Sequence, residues 1–221
     1  MKIQAAALPL LLINVFAYLA QINLSENFTQ SLLLRSDLVM SEPWRLFTSM
    51  FMHSLETPYH LFFNMLALLI FGPLLESKIG PRKFLMLYLT SGLMAGIAAA
   101  IFYPATLGAS GAIMGMLGTL IILMPNLKLL LFFIIPMPLW VAGIIWAAMD
   151  IFGFLFATGD GIANAAHLAG LVTGLAYGIL QTKGKTNFTK TNFKASSDDI
   201  ILNKKHLSEK DVEEYLKKQD Y

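Results

Sequence analysis

Residues 108–125 read GASGAIMGMLGTLIILMP, a run in which no side chain is charged. The run opens on a short glycine–serine motif, and further glycines stand at positions 111, 115 and 118. Glycines spaced three or four residues apart give a helix one smooth face, against which another membrane helix packs closely. The pattern therefore predicts a membrane helix in close contact with another helix, with Ser110 at one end.

The rest of the chain also has the composition of a membrane protein. Of 221 residues, 56% are hydrophobic and 14% are charged, and the mean hydropathy is +0.62. Since about 20 apolar residues cross a bilayer core, the long uncharged runs predict an all-α integral membrane protein with six transmembrane helices in residues 1–181. A shorter apolar segment, 129–135, is predicted to dip into the interface as a loop. The predicted spans are about 6–23, 57–77, 83–104, 110–125, 137–156 and 162–181.

Lysine and arginine in the short connections predict the orientation. In a chain with six spans, four segments that carry these charges fall on one side of the membrane. They are the segments at both ends of the chain, the one between helices two and three, and the one after helix four. Positive loops stay in the cytoplasm, so both termini, including the polar tail 182–221, are predicted to be cytoplasmic. The first span is interpreted as a retained helix, and the absence of a long transit segment fits a prokaryotic plasma membrane. The residues concerned are Lys2, Lys78, Arg82, Lys83, Lys128, Lys183, Lys185, Lys190 and Lys194.

Composition also excludes several functional classes. The chain has no cysteine, so disulfides, thiolate catalysis and cysteine metal sites are excluded. A net charge of +2 without a basic stripe gives no reason to expect nucleic acid as a partner. Nothing in the sequence calls for a cofactor or a metal.

Four polar side chains lie at similar depth on three predicted spans. Ser110 begins helix four, and His167 stands five residues into helix six, about 8 Å deep at 1.5 Å per residue. His60 stands three residues into helix two, and Asn64 lies one turn further on the same face. Polar residues inside a bilayer are costly and usually functional. Their clustering near the outer face predicts a single site.

The chemistry of these four side chains is complementary. A serine hydroxyl becomes a good nucleophile when a base such as histidine takes its proton. Acyl transfer also needs donors for the developing oxyanion, which His60, Asn64 and the N–H groups at the start of helix four can supply. Gly108 and Gly111 let backbone and substrate approach closely. The cluster predicts hydrolysis of an acyl bond.

The order of these motifs resembles that of rhomboid intramembrane serine proteases. The resemblance covers about residues 41–180. Trp44-Arg45 is similar to the family's Trp-Arg, and Gly72 with Glu76 is similar to its Gly-x-x-x-Glu. The remaining motifs are His60-Leu61-Phe62-Phe63-Asn64, Gly108-Ala109-Ser110-Gly111, and Ala166-His167-Leu168-Ala169-Gly170 followed by Gly174.

The resemblance implies a rhomboid-like bundle whose first outer loop is partly embedded in the membrane. It implies that Ser110 is the nucleophile and His167 the base, acting as a dyad. His60, Asn64 and the Ser110 backbone N–H would form the oxyanion hole. The substrates would be single-span membrane proteins, cut near the outer face of the lipid bilayer; the oligomeric state is not implied.

Several further residues need separate interpretations. Met114 stands where the family often has a tyrosine against the catalytic histidine, and a thioether can also contact an imidazole. Asn164, one turn before His167, is expected to orient the base or to face substrate. Glu76 is interpreted as a structural hydrogen-bond acceptor, and Arg45 as an interface anchor of the outer loop. His53 is expected to be an interfacial loop residue.

Asp150 on helix five lies at nearly the depth of His167, so its role as a third triad member stays open. We favour a structural role, because the resemblance implies a dyad and a mobile fifth helix. Three other functions are weaker alternatives. A helix-binding pseudoprotease would lack the serine or the histidine, and a transporter would show repeats and a midplane site. A metal hydrolase would need a third ligand.

Overall fold

The computed structural model describes residues 5–131, 135–156 and 161–182, and most of this part is helical. The helices are named in chain order, with the last one given by number. They are α1 (Ala7–Asn23), α2 (Glu26–Leu32), α3 (Arg45–Thr48), α4 (Pro58–Ile79), α5 (Pro81–Phe102), α6 (Ser110–Leu123), α7 (Leu139–Phe156) and α8 (residues 164–182), with a 3₁₀ turn at Ser49–Phe51.

Each of the six predicted spans coincides with one of the long helices, α1 and α4 to α8. Within the described residues, α4, α5 and α7 are long and apolar enough to cross a membrane. The helices α1 and α6 are shorter apolar helices. At 14 residues, α6 is about 21 Å long and thus shorter than a bilayer core. The part of the predicted tail after residue 182 lies outside the described residues.

The short helix α6 lies at the centre of the bundle. Every residue from Gly111 to Leu120 is buried, as expected of a helix that is apolar all round. Large apolar side chains of the peripheral helices face outward instead, among them Phe16, Phe63 and Leu180. This arrangement suits a bundle whose surroundings are lipid.

Two short antiparallel ladders depart from the all-α prediction. One pairs β1 (Leu34–Arg35) with β2 (Ala105–Thr106), which joins the loop between α1 and α4 to the segment before α6. The other pairs β3 (Lys128–Leu131) with β4 (Ile135–Pro138), where a loop dipping into the interface was predicted. Two-residue ladders and a proline-containing strand give no alternating pattern, so the sequence did not predict them.

Arg45 fastens the loop between α1 and α4. The residue is 4% exposed, and its guanidinium donates to the carbonyls of Gln30 and Leu33, each at 2.7 Å, and to the Glu42 carboxylate. An arginine matches several acceptors at once through its planar fork of donors. The anchoring of the loop by Arg45 is thus observed as hydrogen bonds inside the loop, and its place at a membrane interface stays a prediction.

Glycines on α6 and α8 bring the two helix backbones into contact. A side-chain carbon at Gly170 would meet the carbonyl of Gly111, and one at Gly174 would meet the carbonyl of Gly115. Thr119 adds a hydrogen bond from its hydroxyl to the Gly174 carbonyl at 2.9 Å. Small residues allow this approach, and it sets the start of α6 beside the N-terminal part of α8.

Glu76 caps the N-terminus of α1 from the neighbouring helix α4. Its carboxylate accepts hydrogen bonds from the backbone N–H groups of Ala5, Ala6 and Ala7, the shortest at 2.7 and 2.8 Å. Ala6 stands at the N-cap position and has no side chain that could cap the helix. A buried carboxylate from α4 supplies those acceptors, in keeping with the structural role expected for Glu76.

We expect Glu76→Gln to destabilise the bundle by about 2 kcal/mol, because an amide offers one acceptor oxygen and no charge to these donors. Reversible unfolding in mixed detergent micelles measures the change. Glu56→Gln is the matched control, since Glu56 is exposed and should shift stability by less than about 0.5 kcal/mol. Equal shifts in the two variants would contradict the capping role.

Candidate active site

The turn before α6 places Ser110 at the helix start. Gly108 has φ +125°, a conformation that side chains rarely adopt, and its N–H donates to the Ser49 carbonyl at 2.9 Å. A side-chain carbon at Gly108 would also come within 2.8 Å of the His60 ring. The positive φ and the close approach of the His60 ring both require glycine at this position. The turn thereby brings His60 close to the serine.

Ser110 and His167 meet across the contact between α6 and α8. The distance from Ser110 Oγ to His167 Nε2 is 2.7 Å, a normal hydrogen bond. The side chain of His167 is 19% exposed, so it is shielded but reachable. The two residues predicted to form a nucleophile–base pair are therefore in direct contact.

Asp150 contacts the other side of the same imidazole. Its Oδ1 lies 3.0 Å from His167 Nδ1, and the residue is 6% exposed. The sequence placed Asp150 near the depth of His167, and we favoured a structural role while a role as third triad member stayed open. The contact shows that Asp150 lies within the site. The depth of a residue along its helix follows from residue counts, whereas the face of α7 that lies against α8 depends on tertiary packing.

The His60 ring is held in one orientation by the loop that precedes α4. Its Nδ1 accepts a hydrogen bond from the Ser54 backbone N–H at 3.2 Å. A neutral imidazole that accepts at Nδ1 carries its proton on Nε2. Because the Nε2 and Cε1 edge faces Gly108, the remaining N–H of His60 lies beside the serine motif.

Asn64 lies one turn after His60 and is buried. Its Nδ2 donates to the His60 carbonyl at 2.7 Å, which uses one of the two amide hydrogens. The second hydrogen is left for another acceptor. The structure thus brings His60 close to the serine motif and sets Asn64 next to His60 on the same helix.

The supporting residues predicted from sequence have different surroundings. Gly111 packs against Ala95 and the Ala166 carbonyl, so it belongs to the helix contact. Met114 is buried in the main apolar core. Asn164 donates to the Ile162 carbonyl at 3.2 Å and lies against Gly153 of α7, which makes it a contact between α7 and α8.

Tyr103 was not singled out from the sequence. Its hydroxyl accepts the backbone N–H of Ala165 at 3.0 Å and thereby holds the first turn of α8, two residues before His167. A lone tyrosine at the end of α5 carries no signal of this contact. The partner is a backbone group 62 residues away, and only the folded chain brings the two together.

A small cavity lies behind Ser110, and its volume is about 30 Å³. That is enough for about two water molecules. Within the residues that the structure describes, no three His, Cys, Asp or Glu side chains are grouped so that they could hold a metal ion. The cavity is lined largely by small residues, among them Ser49, Gly92, Gly96, Ala99 and Gly108.

His53 is buried, and it lies next to His60. Its exposed fraction is 0%, and the two ring centroids are 5.2 Å apart. Gln21 holds the His53 backbone through hydrogen bonds to both its N–H and its carbonyl, each at 2.9 Å. His53 was expected to be an interfacial loop residue. It does lie in a loop, but its side chain is buried inside the protein, because a contact from α1 draws this part of the loop inward.

Burial, and after it the electrostatic influence of the neighbouring His60, lowers the pKa of His53 to about 4. The unfolded chain, with an ordinary pKa near 6.5, binds the proton more readily than the folded protein between those values. The contribution of His53 to the free energy of unfolding is therefore fully present above about pH 6.5. It falls as the pH drops towards 4. The loss is on the order of 3 kcal/mol.

Unfolding measured between pH 7 and pH 4 tests this prediction. His53→Leu removes the titrating group and keeps a similar volume, so its stability should fall less steeply than that of the wild type over this range. Parallel stability curves for the two proteins would show that His53 does not contribute to the acid sensitivity.

The chain is similar in sequence to known proteins of one family. Residues 40–184 match the Rhomboid domain. Rhomboid protein 1, mitochondrial, of Saccharomyces cerevisiae is 38% identical over 130 residues, 54% of this chain and 37% of the relative. Rhomboid protease GluP of Bacillus subtilis is 35% identical over 164 residues, 71% of this chain and 31% of the relative. The chain thus spans about a third of these two relatives.

A shorter relative is covered more fully. Rhomboid protease GlpG of Haemophilus influenzae is 31% identical over 148 residues, which make up 66% of this chain and 74% of the relative. The region matched by the Rhomboid domain contains α3 to α8. It therefore holds every residue of the candidate active site.

Proposed function

Since the chain belongs to the rhomboid family, we propose that it is an intramembrane serine protease in which Ser110 is the nucleophile and His167 the base. The observation that carries the proposal is the 2.7 Å contact between Ser110 Oγ and His167 Nε2. Placing a serine hydroxyl and an imidazole between two apolar helices costs free energy that simple packing would not require.

The geometry supports acyl transfer in two stages. His167 Nε2 takes the hydroxyl proton as Ser110 Oγ attacks the scissile carbonyl, and the protonated imidazole then gives that proton to the leaving amine. Water next attacks the acyl-enzyme with the same base. The cavity of about 30 Å³ beside Ser110 is large enough for that water.

Donors for the oxyanion come from two helices. The first N–H groups of α6, including that of Ser110, have no acceptor within the helix. His60 contributes its Nε2 proton beside Gly108, and Asn64 contributes its second amide hydrogen. Preorganised donors of this kind stabilise developing charge most strongly where water is scarce. We assign the oxyanion hole to these three groups.

The substrate class follows from where the site lies in the bundle. On the predicted topology of six spans with both termini in the cytoplasm, Ser110 at the start of α6 and His167 near the start of α8 would lie towards the outer face. A peptide bond inside a helix has its carbonyl hydrogen-bonded, so the cut segment must unwind. We therefore propose single-span membrane proteins with a helix-destabilising segment near their outer end as substrates.

The test is cleavage of a single-span reporter by the purified full chain in liposomes, with product masses determined by mass spectrometry. The wild type should cut within the outer part of the reporter helix, and Ser110→Ala should not. Ser77→Ala is the matched control, because Ser77 is exposed and bonds only within its own helix turn. Persistent cleavage by pure Ser110→Ala would overturn the assignment.

A further inference from the structure

Asp150 presents a buried carboxylate that the proposed dyad does not use. It is 6% exposed on α7, a helix whose 18 residues include no other charged side chain. An ionisable group in such a helix is expensive unless it has a partner. The partner in the structure is the imidazole of His167, 3.0 Å from the carboxylate oxygen.

The two hydrogen bonds of His167 require the same tautomer. A carboxylate only accepts, so Nδ1 must carry the ring proton that Asp150 binds. Nε2 then has its lone pair free for the Ser110 hydroxyl, 2.7 Å away. The opposite tautomer would leave Asp150 facing a lone pair and would remove the base from Ser110.

Packing between α7 and α8 fixes the position of Asp150. Three residues after Asp150, Gly153 lies against the Asn164 amide, and a side-chain carbon at Gly153 would come within 2.5 Å of Asn164 Nδ2. Asn164 stands three residues before His167 on α8. The close contact between Gly153 and Asn164 and the contact between Asp150 and His167 are therefore about one helical turn apart along both helices.

We propose that Asp150 is a positioning residue that holds His167 as the Nδ1–H tautomer with Nε2 directed at Ser110. The proposal rests on the proposed function and extends the dyad to three side chains. In the reaction the hydroxyl proton passes to Nε2, and Asp150 stays a carboxylate that stabilises the imidazolium. Asp150 need not touch the substrate.

Kinetics of Asp150→Asn test this proposal. The amide keeps the size of the side chain but can donate to Nδ1, which favours the wrong tautomer. We expect kcat on the reporter to fall by more than about tenfold with KM nearly unchanged. Met149→Leu is the matched control, because Met149 is the preceding residue on α7 and is 65% exposed. Its kcat should equal that of the wild type.

A spectroscopic measurement on the wild type does not depend on whether the variant folds. In protein labelled with ¹⁵N at histidine, the His167 resonances should show a protonated Nδ1 and an unprotonated Nε2 at neutral pH. A wild-type His167 protonated at Nε2 alone would overturn the proposal. So would an Asp150→Asn variant with kcat within about tenfold of the wild type.

The outcomes separate this inference from the proposed function. Loss of cleavage in Ser110→Ala together with nearly full turnover in Asp150→Asn would refute the positioning role alone. Persistent cleavage in Ser110→Ala would refute the protease assignment itself, whatever the behaviour of Asp150.

Discussion

His167→Ala should lower kcat on a single-span reporter by at least about 10⁴-fold while the protein stays folded. The alanine removes the base that lies 2.7 Å from Ser110 Oγ. In the described part of the chain, the structure places no other imidazole within hydrogen-bonding distance of that hydroxyl. His60 cannot replace it, because its Nδ1 accepts from Ser54 and its Nε2 carries a proton.

Steady-state kinetics in liposomes measure this effect, and thermal unfolding checks the fold of the variant. KM should change little, since the imidazole acts in the transition state rather than in binding the remote parts of the substrate helix. Turnover within tenfold of the wild type would mean that another group activates Ser110.

Gly174→Leu should have the second large effect, on stability as well as on activity. A side-chain carbon at position 174 would collide with the Gly115 backbone carbonyl, which cannot move without displacing α6. Forcing the two helices apart should cost at least about 3 kcal/mol. A shift of about 1 Å between Ser110 and His167 can lower turnover by about 10²-fold.

Unfolding in mixed micelles together with reporter turnover tests this expectation. Val172→Ala is the control on the same helix, because Val172 is 62% exposed and should change neither property appreciably. If Gly174→Leu were as stable and as active as the control, α6 and α8 would not need their close contact.

The positions of the helices were predicted well, because they depend on hydrophobic runs and on helix-breaking residues. The predicted start of the fourth span at Ser110 is the observed start of α6, since Gly108 adopts a positive φ that ends the preceding segment. Glycine spacing likewise predicted that α6 packs closely against another helix, which in the structure is α8. These features depend on local sequence and on the absence of water in the bilayer.

Contacts between distant segments were harder to predict. Residue counts placed Asp150 near the depth of His167. That the two side chains meet depends on the packing of α7 against α8 at Gly153, which residue counts do not give. His53 was expected at an interface, and the hydrogen bonds from Gln21 on α1 draw it into the interior. The rotation of a helix about its axis and the path of a loop depend on partners that lie far away in sequence.

The most direct test of the account is reaction of the protein with a serine-directed fluorophosphonate, followed by mapping of the labelled residue. The account predicts that Ser110 is labelled in the folded wild type and that labelling disappears in His167→Ala, because the hydroxyl then has no base. Ser77 should stay unlabelled in both proteins. Labelling of Ser110 at the same rate in wild type and His167→Ala, or no labelling of Ser110 in active wild type, would contradict it.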